Sequence, residues 1–285
     1  MKSSKSKLTL PAVFAVVAFG VLGFLQVLNA ILAIASIAGL VVLLTDRRYP
    51  IGIASAAGCL LISYLLGREM LLAESVFLVV LPGIIISICI RLNKQPVKAI
   101  FAVILPIILL SVVYFTRIGN TAEYYNEIAP EVKEQFGEIF ITLEIDKKLG
   151  LSPEKIDQLT DDYMYFVKTI IRFMPGLMLI LFTVIGTLAY KLTEFCFRRE
   201  DRYLIAFPRF DHWKIDERML LLFGIALLVV ILGNGLIQDI GENVALYVFS
   251  LLTFGGLSLL ENFMQRKKFK RLFKGLIYFL SLIHI

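Results

Sequence analysis

Apolar residues come in long runs along this chain, and the polar gaps between the runs alternate in charge. The runs cover residues 8–26, 28–45, 51–67, 71–90, 98–116, 169–193, 218–237 and 243–264, and a ninth begins near 272. Crossing a bilayer as a helix takes about 20 apolar residues, so the pattern predicts eight complete spans and a truncated ninth. Leu8 to Thr45 is one unbroken apolar block of 38 residues. As a helix it would be about 57 Å long, nearly twice the hydrocarbon thickness. Lys2, Lys5 and Lys7 precede the block, and Arg47 and Arg48 follow it. Basic residues favour the cytoplasmic side, so both ends are expected inside and the block is expected to cross twice, turning near Gln26–Asn29.

The remaining gaps keep the alternation. Arg91, Lys94 and Lys98, the stretch from Arg198 to Arg218, and the cluster from Arg266 to Arg271 fall on the inner side. Arg68 and Glu69, the acidic segment 117–168, and the pairs Gln238–Asp239 and Glu242–Asn243 fall on the outer side. Of the 29 Lys and Arg residues, 21 sort inside together with only 8 of the 23 Asp and Glu residues. The N-terminus is read as an uncleaved first span with its end in the cytoplasm, because more apolar sequence follows where a cleavage site would stand.

Segment 117–168 is the one soluble-looking piece. Ile128, Val132, Phe136, Ile139, Phe140 and Leu143 recur at three- and four-residue spacing and predict a one-sided helix. Pro130 fits its first turn, and Lys147 to Gly150 its end. Ser152, Pro153 and Glu154 then read as the start of a second helix that runs into the sixth span. There Pro175 frees a carbonyl and should kink it. The apolar stripe suits a cap over the outer mouth of the bundle, a helix lying on lipid, or a helix that binds a partner.

Composition sharpens the class. At 58% hydrophobic and 18% charged, the chain is too apolar for a soluble domain. The fold class is all-α: a polytopic transmembrane helix bundle forming a single membrane domain over 1–285, with the outer helical insertion and an inner basic-aromatic loop at 198–217. The net charge of +6 is accounted for by topology, so no nucleic-acid partner is implied; the lipid bilayer is the expected partner. Cys59, Cys89 and Cys196 read as small buried apolar residues. No phosphate-binding glycine loop, metalloprotease His pair or serine-hydrolase elbow is present, and only His212 and His284 could serve as histidine ligands. No enzyme activity, cofactor or metal site is expected.

Ionisable groups within spans are functional candidates, but none lies mid-span; Glu194 and Glu261 sit near inner ends, where they can reach the interface. Polar residues gather at the outer ends instead: Gln26, Asn29, Arg68, Glu69, Glu74, Arg172, Asn234, Gln238, Asp239, Glu242 and Asn243. They suit headgroup solvation or an outward-facing pocket. The candidate solute-binding set is Asn29, Glu74, Asn234 and Asn243, since asparagine in or beside a span seeks a hydrogen-bond partner. On the inner side, Arg202, Phe207, Phe210 and Trp213 form a candidate lipid or partner interface, aromatic rings at headgroup depth beside basic groups. Small residues at Ala35-x-x-x-Gly39, Gly52-x-x-x-Ala56 and Ala54-x-x-x-Gly58 suit close helix packing, within the chain or against another membrane protein.

Met174-Pro175, Arg198-Arg199, Phe207-Pro208-x-Phe210-x-x-Trp213, Asn243 and Gly255-Gly256 together resemble the YybS-like family of bacterial membrane proteins, a domain of unknown function. That family is similar to the S components of energy-coupling-factor vitamin transporters. The resemblance implies solute binding or uptake by docking to a shared energising module, without an ATPase of its own. The first span departs from the S-component pattern in lacking an alanine-x-x-x-alanine docking stripe. A non-transporting scaffold that recruits protein through the outer segment or inner loop is the alternative. Residues 280–285 read like a translated sequencing adapter, so the natural chain is expected to continue beyond them.

Overall fold

The computed structural model describes residues 9–22, 26–45, 49–66, 72, 75–118, 121–143, 152–269 and 275. Most of the described residues are helical, the longest connection among them is 200–217, and no strand occurs among them. The helices are α1 (Thr9–Leu22), α2 (Gln26–Thr45), α3 (Tyr49–Leu65), α4 (Leu81–Arg91), α5 (Pro96–Ile118), α6 (Thr121–Leu143), α7 (Pro153–Arg199), α8 (Arg218–Leu232) and α9 (Leu236–Arg266). A π-helical turn, Ser75–Val80, leads directly into α4, and a short 3₁₀ turn spans Phe210–His212. Among the described residues, three helices are long and apolar enough to cross a membrane: α5 over Pro96–Phe115, α7 over Glu154–Arg199, and α9. Helices stand at the other five expected span positions, but they are shorter; α1 has 14 residues, α3 has 17 and α8 has 15. The expected ninth span and the helix end expected at Lys147–Gly150 lie outside the described residues.

The chain divides into two compact units. The first comprises residues 1–107 and 179–209. In it α2 packs on α1, α3 and α4, around a core of Val16, Phe19, Ala33, Leu40, Cys59 and Val79. The small-residue stripe of α2 works inside the chain: a β-carbon on Gly39 would stand 2.7 Å from the Ala12 carbonyl oxygen. Ser36 donates to the Ala15 carbonyl at 2.6 Å on the same face. Gly52 meets Leu44 in the same way, whereas Gly58 faces open space. The buried hydroxyls of Ser63 and Ser75 share a hydrogen bond of 2.7 Å.

The second unit comprises 108–178 and 210–285. Here α8 and α9 pack together across a connection of Gly233, Asn234 and Gly235, with Gly235 at φ 56°, a conformation open to glycine. A β-carbon on Gly241 would press on Val229 at 2.8 Å. The lower part of α9 receives the 3₁₀ turn. Asn262 donates to the Asp211 carbonyl at 2.9 Å and Ser258 to the Trp213 carbonyl at 3.0 Å.

Two expectations need correction. Gln238 to Asn243 are not a loop; they form the first two turns of α9. The glycine-rich step at 233–235 makes the turn instead, and the polar side chains beyond it find partners within the protein, so they need no water-facing gap. The helix expected around the Ile128–Leu143 stripe begins at Thr121, which places Pro130 in its interior. Tyr124 and Tyr125 are half-buried like Ile128, Ala129 and Val132, so they extend the apolar stripe one turn further back than aliphatic residues alone suggested. The start of α7 is as expected: Ser152 accepts from the Lys155 N–H through its carbonyl at 3.0 Å and faces the same N–H with its hydroxyl at 3.4 Å. The segment that begins at Pro153 and the apolar run 169–193 are then one helix of 47 residues.

Helices α4, α7 and α9 end alike. In each, one non-glycine residue turns left-handed: Asn93 at φ 50°, Asp201 at 53° and Lys268 at 54°. The next N–H reaches back to a carbonyl five residues earlier, Lys94 to Cys89, Arg202 to Phe197 and Phe269 to Met264. This is the Schellman closure, which satisfies carbonyls at a helix end. All three closures fall in the basic gaps.

Candidate functional site

The polar centre of the second unit is built where α7 meets α9. Pro175 has no N–H, so the Ile171 carbonyl loses its donor four residues on. In an apolar setting such a group must find another partner. The Tyr114 hydroxyl, arriving from α5, donates to it at 2.9 Å.

One residue further along, Asn243 engages both halves of the next helical step. Its side-chain oxygen accepts from the Gly176 N–H at 2.7 Å, and its amide nitrogen donates to the Arg172 carbonyl at 2.8 Å. Those two backbone groups are the pair that a regular helix would join to each other. The same nitrogen donates to the Asp239 carbonyl at 2.8 Å. Asn243 is 3% exposed. Gly176 permits the approach: a β-carbon there would stand 3.0 Å from both the Asn243 carbonyl oxygen and its side-chain oxygen.

Around this step sit three charges. The Arg172 guanidinium donates to Asp239 at 3.1 Å and to Glu242 at 2.6 Å, and Gln238 donates to the same Glu242 oxygen at 3.4 Å. The other Glu242 carboxylate oxygen is buried and has no hydrogen-bond partner. Arg172 is 36% exposed in its side chain, against 7% and 15% for its two partners. One cation thus faces two well-covered carboxylates.

Of the four candidate solute residues, the structure places Asn243 in this cluster, with its amide already engaged by backbone. Asn234 is exposed in the α8–α9 connection. Asn29 lies in α2, its side chain outside the described set, and Glu74 is outside the described residues. Sequence reading placed Arg172, Asp239 and Glu242 at the outer end without joining them. The available signal was one basic and two acidic residues in apolar surroundings, where unpaired charge is costly.

The inner candidates divide at Arg209. In the first unit, Glu194 is 9% exposed and does not reach outward as expected. Its carboxylate accepts from the Phe207 N–H at 3.1 Å and pairs with Arg198. The Phe207 ring meets Tyr190 edge-on at 5.9 Å, and the Tyr190 hydroxyl donates to the Ile205 carbonyl at 2.9 Å. The Arg202 guanidinium lies 4.1 Å from the centre of the Phe197 ring and 3.7 Å from the Glu200 carboxylate. In the second unit, Phe210 and Trp213 pack edge to face at 5.2 Å. These contacts fold the loop back on its own helices, while Tyr203 stays 90% exposed.

Among the described residues, no three His, Cys, Asp or Glu side chains converge as a metal cage requires. Neither a curated protein nor a solved structure matches the chain significantly. Long apolar helices, helix ends closed in basic gaps and charges gathered where α7 meets α9 suit a membrane-embedded bundle. The family of predicted membrane proteins called DUF2232 matches residues 12–285, and the chain belongs to that family.

Proposed function

We propose that this chain is a multi-pass protein of the bacterial cell membrane that binds or moves a small solute, in the manner of an S component without its own ATPase. The observation that carries the reading is the Arg172–Asp239–Glu242 cluster. It holds two carboxylates against one guanidinium beside apolar helices, and one Glu242 oxygen is buried without a partner. Buried charge calls for compensation, so the solute class that suits the cluster is cationic, such as an amine. The sorting of basic residues supports an orientation with the N-terminus inside and 117–168 outside.

Thermal unfolding of the protein in nanodiscs, with matched panels of amines, carboxylates and neutral solutes, tests this. An amine should raise the midpoint of the wild type and leave Glu242→Gln unmoved. Equal response to carboxylates, or no response to any amine, sinks the reading. Impermeant labelling of a cysteine at Glu127, which is exposed, should succeed from outside whole cells; labelling only after lysis overturns the orientation.

The exposed Tyr203 ring favours a second reading, a scaffold that engages a partner or lipid on the inner side. Co-purification from mild detergent separates the two: an ATPase-bearing partner fits transport, and a partner lost on Tyr203→Ala fits the scaffold.

A further inference from the structure

We infer that the Pro175–Gly176 step of α7 is a hinge held shut by α9, with Asn243 as its latch and the Arg172 ion pairs as its clasp. Proline removes one helical hydrogen bond, and its ring crowds the carbonyl four residues earlier. A helix so weakened bends at that step, unless neighbouring side chains re-satisfy the backbone.

Here the replacement bonds come from other helices. Tyr114 takes the Ile171 carbonyl. Asn243 takes the Arg172 carbonyl and the Gly176 N–H together. The side chain of Arg172, on the same turn, is held by Asp239 and Glu242. Every one of these contacts ties the step to α5 or α9, and the latch residue also bonds its own helix at the Asp239 carbonyl. Gly176 contributes the space, since a side chain there would displace the Asn243 amide.

A merely well-packed asparagine would not need the proline. A latch does: it holds the turn next to the carbonyl that the proline frees and Tyr114 caps. This holds whether or not a solute binds at the charges nearby, so failure of the solute reading leaves it standing.

The test is a double-mutant cycle on the full chain in nanodiscs, with Asn243→Leu, Pro175→Ala and the pair, read by thermal midpoint and by hydrogen exchange of peptides covering 165–178 and 180–195. Asn243→Leu should lower the midpoint and speed exchange by about ten- to a hundredfold in 165–178, leaving 180–195 unchanged. Pro175→Ala restores the missing N–H, lets the helix close its own bonds, and should suppress most of both effects. Should Asn243→Leu alone fail to accumulate, recovery of folded protein in the double variant is the same result. Additive losses, no recovery in the double variant, or exchange rising equally in both peptides overturns the hinge.

Discussion

Tyr114 donates its hydroxyl to the Ile171 carbonyl at 2.9 Å, the acceptor that Pro175 leaves without its helical donor. The two residues are 57 positions apart in sequence, and the bond joins α5 to α7 through a defect in α7. Tyr114→Phe keeps the ring and removes only the donor. A half-buried carbonyl left unsatisfied costs about 1–3 kcal/mol, so the variant should unfold at a lower temperature. Tyr114→Phe made on a Pro175→Ala background should cost little, as measured by thermal unfolding of the four proteins.

Arg172 balances two carboxylates, so removing it should do more damage than removing either acid. Arg172→Met strands Asp239 and Glu242 side by side in apolar surroundings. Its partial exposure moderates the penalty to about 2–3 kcal/mol, below the range for a fully buried pair. Asp239→Asn leaves one cation facing one anion and should be milder. Denaturation midpoints of the two variants check the order, and Arg172→Met with Glu242→Gln should recover part of the loss.

The two glycines of α2 and α3 offer a paired comparison. Gly39→Ala forces a β-carbon to within 2.7 Å of a backbone oxygen, which cannot rotate away, so α1 and α2 must separate. Overpacking of this kind costs about 1–3 kcal/mol. Gly58→Ala meets nothing within 4 Å and should be neutral or stabilising by up to about 1 kcal/mol through helix propensity. A lowered thermal midpoint in detergent for Gly39→Ala, and an unchanged or raised one for Gly58→Ala, is the expected outcome.

Glu194 anchors the basic-aromatic loop through the Phe207 N–H and Arg198. Glu194→Leu removes both contacts and leaves a covered N–H without its acceptor. The stretch 202–209 should then become sensitive to limited proteolysis, while cleavage elsewhere stays as in the wild type.

The helices were legible because hydropathy along the chain is a one-dimensional signal. So was the defect: Pro175 announces a freed carbonyl wherever it stands in a helix. What cures the defect was not legible, because Tyr114 and Asn243 come from remote stretches and only packing brings them there. Asn243 stood out as an asparagine in need of a partner, and the partner proved to be backbone. The α8–α9 turn was misplaced for a related reason. Gln238, Asp239, Glu242 and Asn243 read as a solvated gap, although a half-exposed guanidinium from another helix can meet the same need. The glycines flanking Asn234 were the better signal. Glu194 misled similarly, since a carboxylate near a helix end can turn inward to an N–H as readily as outward to water.

The unbroken length of α7 has a mechanical consequence. Its 47 residues amount to about 70 Å of helix, more than twice the thickness of a bilayer core. The 23 residues from Pro153 to Pro175 make an arm of about 33 Å. A push on the far end of that arm acts as a torque about the Pro175 step, and the contacts of Asn243, made close to that step, must balance it with a larger force. Whatever pulls on the segment before Ser152 therefore acts on the latch with leverage that no contact made at the step itself could match.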